Sequence, residues 1–251
     1  MSDELSRILK FQHEFARRGA GRVADVPGGF AVLNELYPAS HDNNKLIIRE
    51  GGDPGTVIRA ADEVLAGFGH RLVVVEDDAL GMAFAPAFAD AGYEHGANLV
   101  MVFRGEAPAG PPVAEEVGLE AIMPVVRADW HEELPWVSDR AIDDLVRRLE
   151  ARMLGADLVG FRAVRASGGE IAARAELYAQ DGVAQIETLV TSVRHRGQGH
   201  ARTLVTSMLA EAAGLADLIF LEADVDDWPK EFYGRLGFEP LCRTHSFLRM
   251  E

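Results

Sequence analysis

The 251 residues are 48% hydrophobic and 26% charged, and they carry a formal net charge of −15. That balance describes a soluble globular chain, long enough for one large domain or two small ones, and it argues against a nucleic-acid binder, which needs a basic face. The single cysteine, Cys242, excludes an intrachain disulfide and a thiolate metal cluster, and no apolar run approaches the roughly 18 residues of a membrane helix.

The N-terminus is acidic and lacks the basic-then-apolar form of a signal peptide, so a cytoplasmic location is the expectation. Residues 3–19 read as a helix, with Leu5, Ile8, Leu9, Phe11 and Phe15 on one face and Gly19 as a stop. Val23 to Glu50 reads as extended segments joined by a polar link at residues 40–44. A helix over 56–67, a buried strand over 71–76, a helix over 80–91 and a strand over 97–103 follow. Ala107-Pro-Ala-Gly-Pro-Pro112 cannot hold a helix or a central strand. We place a linker there, at 107–112, between a first domain at 1–106 and a second at 113–251.

The second domain reads as a strand over Gly118–Val126, mainly helix from Asp129 to Leu154, and strands over 158–166 and 171–180 joined by Ser167-Gly-Gly-Glu170. The Asp181-Gly182 turn then feeds a strand over 183–193. Helix 200–213, strand 218–224, helix 229–236 and strand 241–249 complete the chain. The strand-helix-strand-helix-strand order of the first domain recurs here. Ala91-Gly-Tyr-Glu94 echoes Leu236-Gly-Phe-Glu239. We read an internal duplication with a truncated first copy.

The densest chemistry lies between the strand at 183–193 and the helix at 200–213. Gly197 and Gly199 let the backbone approach a ligand, and the helix that opens behind them points free N–H groups at it. Arg194 and Arg196 add charge and fork-shaped donors. The turn suits a phosphate or diphosphate; a glycine turn with solvated arginines is the plainer alternative. No Gly-x-x-x-x-Gly-Lys-Ser/Thr run exists. Gly197 and Gly199 fit the first two positions of the dinucleotide fingerprint, but Arg202 stands where the third small residue belongs. Taken by itself, the turn leaves a nucleotide oxidoreductase open.

The turn Arg196-Gly-Gln-Gly-His-Ala201, followed by Phe232-Tyr-Gly-Arg-Leu-Gly-Phe238, resembles the paired motifs of the GNAT superfamily of acyl-CoA-dependent N-acyltransferases. The resemblance covers residues 115–251. It implies an α+β fold: a mixed, mostly antiparallel central sheet flanked by helices, preceded here by a partial GNAT-like domain. It implies acetyl-CoA as acyl donor. Leu189, Val190 and Thr191 would meet the pantetheine, while Arg194, Arg196, Gly197, Gln198, Gly199 and Ala201 would hold the diphosphate. Asp226 falls where the family commonly has an asparagine that contacts the cofactor, and this departure weakens one contact. Tyr233 would protonate the leaving thiolate, and Glu187 would be the general base, with Glu222 and Asp224 as alternatives.

The acceptor implied is a small-molecule or peptide amine. No metal, nucleic-acid or membrane partner is expected, and a homodimer is left open. A non-catalytic acyl-CoA sensor and an enzyme similar to mycothiol synthase are the other readings. In the first copy the matching turn, Arg49 to Gly55, contains Glu50, Asp53 and Pro54. Two acids and a residue without an N–H would repel a diphosphate, so this copy is expected to bind no cofactor and to shape the acceptor cleft instead. His195 and His200 are expected to meet solvent or phosphate, and Trp130, Trp136 and Trp228 to pack in the core, with the lining of an acceptor pocket as the alternative.

Overall fold

A computed structural model describes residues 2–251. The first element, α1 (Asp3–Arg18), is capped by Ser2, whose hydroxyl accepts from the Leu5 N–H at 3.2 Å. Asp3 and Glu4 in its first turn and Arg17 and Arg18 in its last oppose the helix dipole favourably. Its buried stripe, Ile8, Leu9 and Phe11, covers strands far away in sequence.

The first half continues through β1 (Arg22–Val26), β2 (Gly29–Leu33), β3 (Lys45–Ile48), α2 (Pro54–Val64), β4 (His70–Val75), α3 (Asp78–Asp90) and β5 (Glu94–Phe103). A coil leads to the second half: β6 (Glu115–Val117), α4 (Leu119–Glu133), α5 (Asp139–Arg152), β7 (Leu158–Arg165), β8 (Ile171–Gln180) and β9 (Val183–Thr191). A 3-10 turn (Val193–His195), α6 (His200–Ala212), β10 (Leu218–Asp224), α7 (Pro229–Gly234) and β11 (Phe238–Met250) follow. The run β1-β2-β3-α2-β4-α3-β5 recurs as β7-β8-β9-α6-β10-α7-β11.

The strand expected over Gly118–Val126 is a helix. Leu119, Ile122, Met123 and Val126 recur at helical spacing, and Ile122 and Val126 are buried against Ile142, Val146 and Leu149 of α5. Pro124 sits within α4, which accommodates it early in its course. The strand expected to reach 193 ends at Thr191, and Arg194 and His195 belong to the 3-10 turn.

All the strands among the described residues form one sheet, in the order β1-β2-β3-β4-β11-β5-β10-β9-β8-β7-β6. The last strand of each half is exchanged. β5 lies between β11 and β10 of the second half, and β11 lies between β4 and β5 of the first. β5 and β11 pair antiparallel from Phe238↔Phe103 to Leu248↔Glu94. The sheet therefore runs through both halves without a break.

One face of the second half's strands carries α6 and α7, with Leu204, Val205, Met208 and Leu209 against Ala173, Ala175, Ile186 and Leu221. The other carries α1, with Ile8 and Phe11 against Val100, Val102, Tyr178 and Phe220. Paired charges tie α1 to the same region: Arg7 to Asp217 at 2.7 Å and Arg18 to Asp157 at 2.8 Å.

Candidate active site

Parallel β9 and β10 pair only from Leu218↔Val183 to Phe220↔Gln185. Beyond Gln185 they separate, and the β10-facing edge of β9 is left open as far as Thr191. A bulge accompanies the split: the β8–β9 register shifts between Arg174 and Glu176, and Thr188 takes φ 51°. A β-branched residue in the left-handed region is strained and marks a site where the backbone is held for a purpose. The first half shows the contrast. There β3 and β4 pair through Ile48↔Val75, and the Glu76 N–H closes the end on the Ile48 carbonyl at 3.0 Å.

The turn after β9 ends in Gly197 and Gly199, at φ 74° and 86°. A Cβ at either would meet open space, so backbone sign alone demands glycine there. Gly199 is the N-cap of α6, and no side chain caps that helix. Its first amides therefore face outward with the positive end of the dipole. Arg194 and Arg196 are exposed beside them. This nest fits a diphosphate. The equivalent helix of the first half, α2, is capped by Asp53, whose carboxylate accepts from the Thr56 N–H at 2.9 Å. A carboxylate occupies the place where a phosphate would sit.

On the α1 face, the split opens onto a cavity of about 1080 Å³. Both halves build it. Gln12 and His13 come from α1, Asp42 from the loop before β3, Trp130 from α4, and Arg148 and Arg152 from α5. The loop is held by Asn44, which donates to the Tyr37 and Ser40 carbonyls, both at 2.9 Å, and accepts from the Asn34 N–H at 2.7 Å.

Glu187 and Glu222 lie in this cavity, on β9 and β10. Burial pushes the Glu187 carboxyl up to about 7, the Glu222 charge adds to the shift, and the Arg152 guanidinium opposes it. The Gln185 amide donates to it at 2.8 Å. Burial also raises Glu222, against the pull of its bond from Gln12 at 2.9 Å. Tyr233, on α7, is 8% exposed and packs edge-on to Phe238 at 6.0 Å. Burial raises its hydroxyl well above the usual phenol range, and the Glu187 charge raises it further. Tyr233 stands on the α6–α7 side of the sheet, and Glu187 lines the cavity on the other.

Sequence reasoning missed the residues that brace this floor. Arg152 donates to Glu176 at 2.7 Å and to the Thr188 hydroxyl at 3.0 Å, and Tyr178 donates to the other Glu176 oxygen. Arg152 thereby joins α5 to the strained bulge beside Glu187. No local signal marks it, since its partners lie on other elements.

Of the other residues named from sequence, Leu189, Val190 and Thr191 lie half-buried along the open edge of β9. Gln198 turns its amide back onto the Arg194 carbonyl at 3.1 Å, and Ala201 is in the first turn of α6. Asp226 is exposed, with its N–H bonded to the Asp224 carboxylate at 2.7 Å. Asp224 is exposed and does not line the cavity. His195 departs from expectation: it is buried, with Nε2 3.2 Å from the Glu170 carboxylate and its ring against His200. Two tryptophans also depart from expectation. Trp136 is 78% and Trp228 63% exposed, whereas Trp130 packs against the α4–α5 core. Among the described residues no cluster of three or more His, Cys, Asp or Glu is disposed to hold a metal ion. No helix among them is long and apolar enough to cross a membrane.

Comparison with known proteins bears on this geometry. Residues 120–238 match the family model "Acetyltransferase (GNAT) family". No protein of curated function matches. Among solved structures, a GCN5-related N-acetyltransferase from Kribbella flavida is similar at a TM-score of 0.64 and 18% identity, over 98% of this chain and 95% of that one. A conserved protein of unknown function from Staphylococcus epidermidis gives 0.69 and 12%, over 92% and 94%. A tandem GNAT protein from the clavulanic acid biosynthesis pathway gives 0.52 and 18%, over 78% and 69%. At such identities these likenesses speak for the fold.

Proposed function

Because this chain carries an acetyltransferase domain of the GNAT family over residues 120–238, and so is an acyltransferase, we propose that it moves an acetyl group from acetyl-CoA to a primary amine held in the inter-half cavity. The observation that carries the reading is the β9–β10 split, with an uncapped helix N-terminus at its outer end and a raised carboxyl, Glu187, at its inner end.

Acetyl-CoA supplies the activated acyl group. The amides from Gly197 to Ala201, with Arg194 and Arg196, hold its diphosphate. The open edge of β9 at Leu189, Val190 and Thr191 offers backbone groups to the pantetheine, and a β9 N–H stands ready to polarise the thioester carbonyl. The amine enters from the cavity. Glu187 takes a proton from the ammonium, the C–N bond forms as the C–S bond breaks, Tyr233 gives its proton to the sulfur, and the second nitrogen proton passes to solvent. Placing both reactants at one gap supplies much of the rate.

Calorimetric titration with coenzyme A tests the cofactor half. Gly199→Asp puts a carboxylate where a phosphate is expected and strains a left-handed position. Affinity is expected to fall at least tenfold. Unchanged affinity would remove the nest from the reading.

A pH profile tests the base. Glu187 must be ionised to accept a proton, so kcat/KM is expected to rise through about pH 7 and level off above it. Stability runs the other way. The folded carboxyl holds its proton to higher pH than the unfolded one, so its contribution falls as pH rises from the ordinary carboxylate range through about 7. Glu187→Gln should therefore flatten the rate profile and raise Tm at pH 8. A variant that keeps the rise in rate would assign the base elsewhere.

A further inference from the structure

The charges in the cavity are not balanced, and the imbalance is local. Its cations are largely taken. Arg148 pairs with Asp42 at 3.0 Å, Lys45 reaches the same acid at 3.6 Å, and Arg152 pairs with Glu176 at 2.7 Å. Arg140 lines the cavity too, but from an exposed position.

The acids on the sheet floor are not taken. Among the described residues Glu222 is hydrogen-bonded only by the Gln12 amide at 2.9 Å and Glu187 only by the Gln185 amide at 2.8 Å, with the Lys45 and Arg152 charges acting on them from further away. Neither has a cation at ion-pair distance among the described residues. The strand register explains why they stand together. Phe220 is the last residue of β10 paired with β9, opposite Gln185. Two residues further on, Glu222 and Glu187 occupy equivalent positions on the two diverging strands, pointing to the same face. They flank the gap.

A third carboxylate, Asp144 on α5, also lines the cavity, with no cation at ion-pair distance among the described residues, and with Arg140 and Arg148 one turn away on the same helix. Part of the wall is apolar, with Val32, Ile47, Leu72 and Val74 beside the polar side chains of His41, His70 and Asn98, and that part suits methylene groups. Half-buried carboxylates left without a counter-ion are costly, and a ligand that brings the missing charge is favoured.

The geometry points to an aliphatic di- or polyamine as acceptor, its reactive ammonium held between Glu222 and Glu187 and a second ammonium at Asp144. Glu222 is then the residue that selects for charge, and Glu187 the residue that removes the proton. This rests on the reading that the cavity receives the acceptor. It extends that reading from any primary amine to a dication with an apolar spacer.

The probe is 1,5-diaminopentane, titrated calorimetrically into the full chain without acetyl-CoA. Wild type is expected to bind it, and 1,5-pentanediol, of the same length and uncharged, is not. Glu222→Gln keeps an acceptor for Gln12 and should weaken diamine binding about tenfold or more, as loss of a charge-assisted contact does. Glu222→Asp keeps the charge and should retain affinity within about threefold, which separates charge from folding. Asp144→Asn should abolish the preference for the diamine over pentylamine. Equal diamine affinity in wild type and Glu222→Gln, or diol binding as tight as diamine binding, overturns the inference. Coenzyme A affinity is read on the same samples. Its absence would sink the acetyl-transfer reading and leave the diamine result standing; normal coenzyme A binding without the diamine effect would sink the inference alone.

Discussion

Tyr233→Phe is expected to lower turnover by about 10²-fold while leaving acetyl-CoA affinity within about twofold. The substitution removes one oxygen and nothing else. The ring keeps its place among Phe232, Phe238 and the α6 core, so no cavity opens. The hydroxyl has no hydrogen-bond partner in the chain among the described residues, so none is orphaned by its loss. What disappears is a proton source. Burial and the neighbouring Glu187 charge both disfavour the phenolate, so this phenol holds its proton throughout the working range. In the mechanism proposed above, a phenol that stays protonated serves as the donor and not as the base. The diphosphate nest lies on another element and should not notice the change. Steady-state thiol release, with a separate titration of coenzyme A, checks both halves of the statement. Unchanged turnover would give the proton to water and return Tyr233 to the core; a large loss of coenzyme A affinity would make its role structural.

The nest was legible in the sequence because it is local. Two glycines, flanking arginines and an amphipathic helix behind them fix the sign of φ and the direction of the helix within a few residues. The strand before it was equally plain. Its bulge was not: Thr188 carries no mark of the positive φ it adopts. Gly118–Val126 misled because Pro124 argues against a helix, while the spacing of Leu119, Ile122 and Val126 argues for one, and packing on α5 decided the matter.

The cavity was the least legible part. Gln12, Asp42 and Arg152 stand on three elements that meet only when the chain is folded, and each resembles an ordinary surface residue in its own segment. The exchange of β5 and β11 was silent for a related reason. Either strand has the apolar content to complete its own half, and pairing partners at long range leave no trace in composition.

That exchange governs what the first half does, and it predicts that residues 113–251 alone are neither monomeric nor active. Removing residues 1–112 withdraws β5 from between β10 and β11. Leu221 to Asp224 of β10 would lose their only strand partner among the described residues, since β9 has already turned away. Val100 and Val102, Ile8 and Phe11 would leave Tyr178, Val183, Leu218 and Phe220 uncovered. A bare edge beside a bare apolar face recruits another chain, so the fragment should run as a dimer or larger species on size exclusion. Its acetyl transfer should fall at least a hundredfold, because Gln12, Asp42 and half the cavity wall are gone. Co-expressing 1–112 with 113–251 as two chains supplies β5 and α1 in trans, and the coil between Phe103 and Glu115 is where the break does least harm. Such a pair should co-purify and recover activity to within about tenfold of the intact chain. A fragment that elutes as a monomer and turns over at the full rate would show that the exchanged strand and the first half's contribution to the cavity are dispensable, and the acceptor site would then have to lie wholly within the second half.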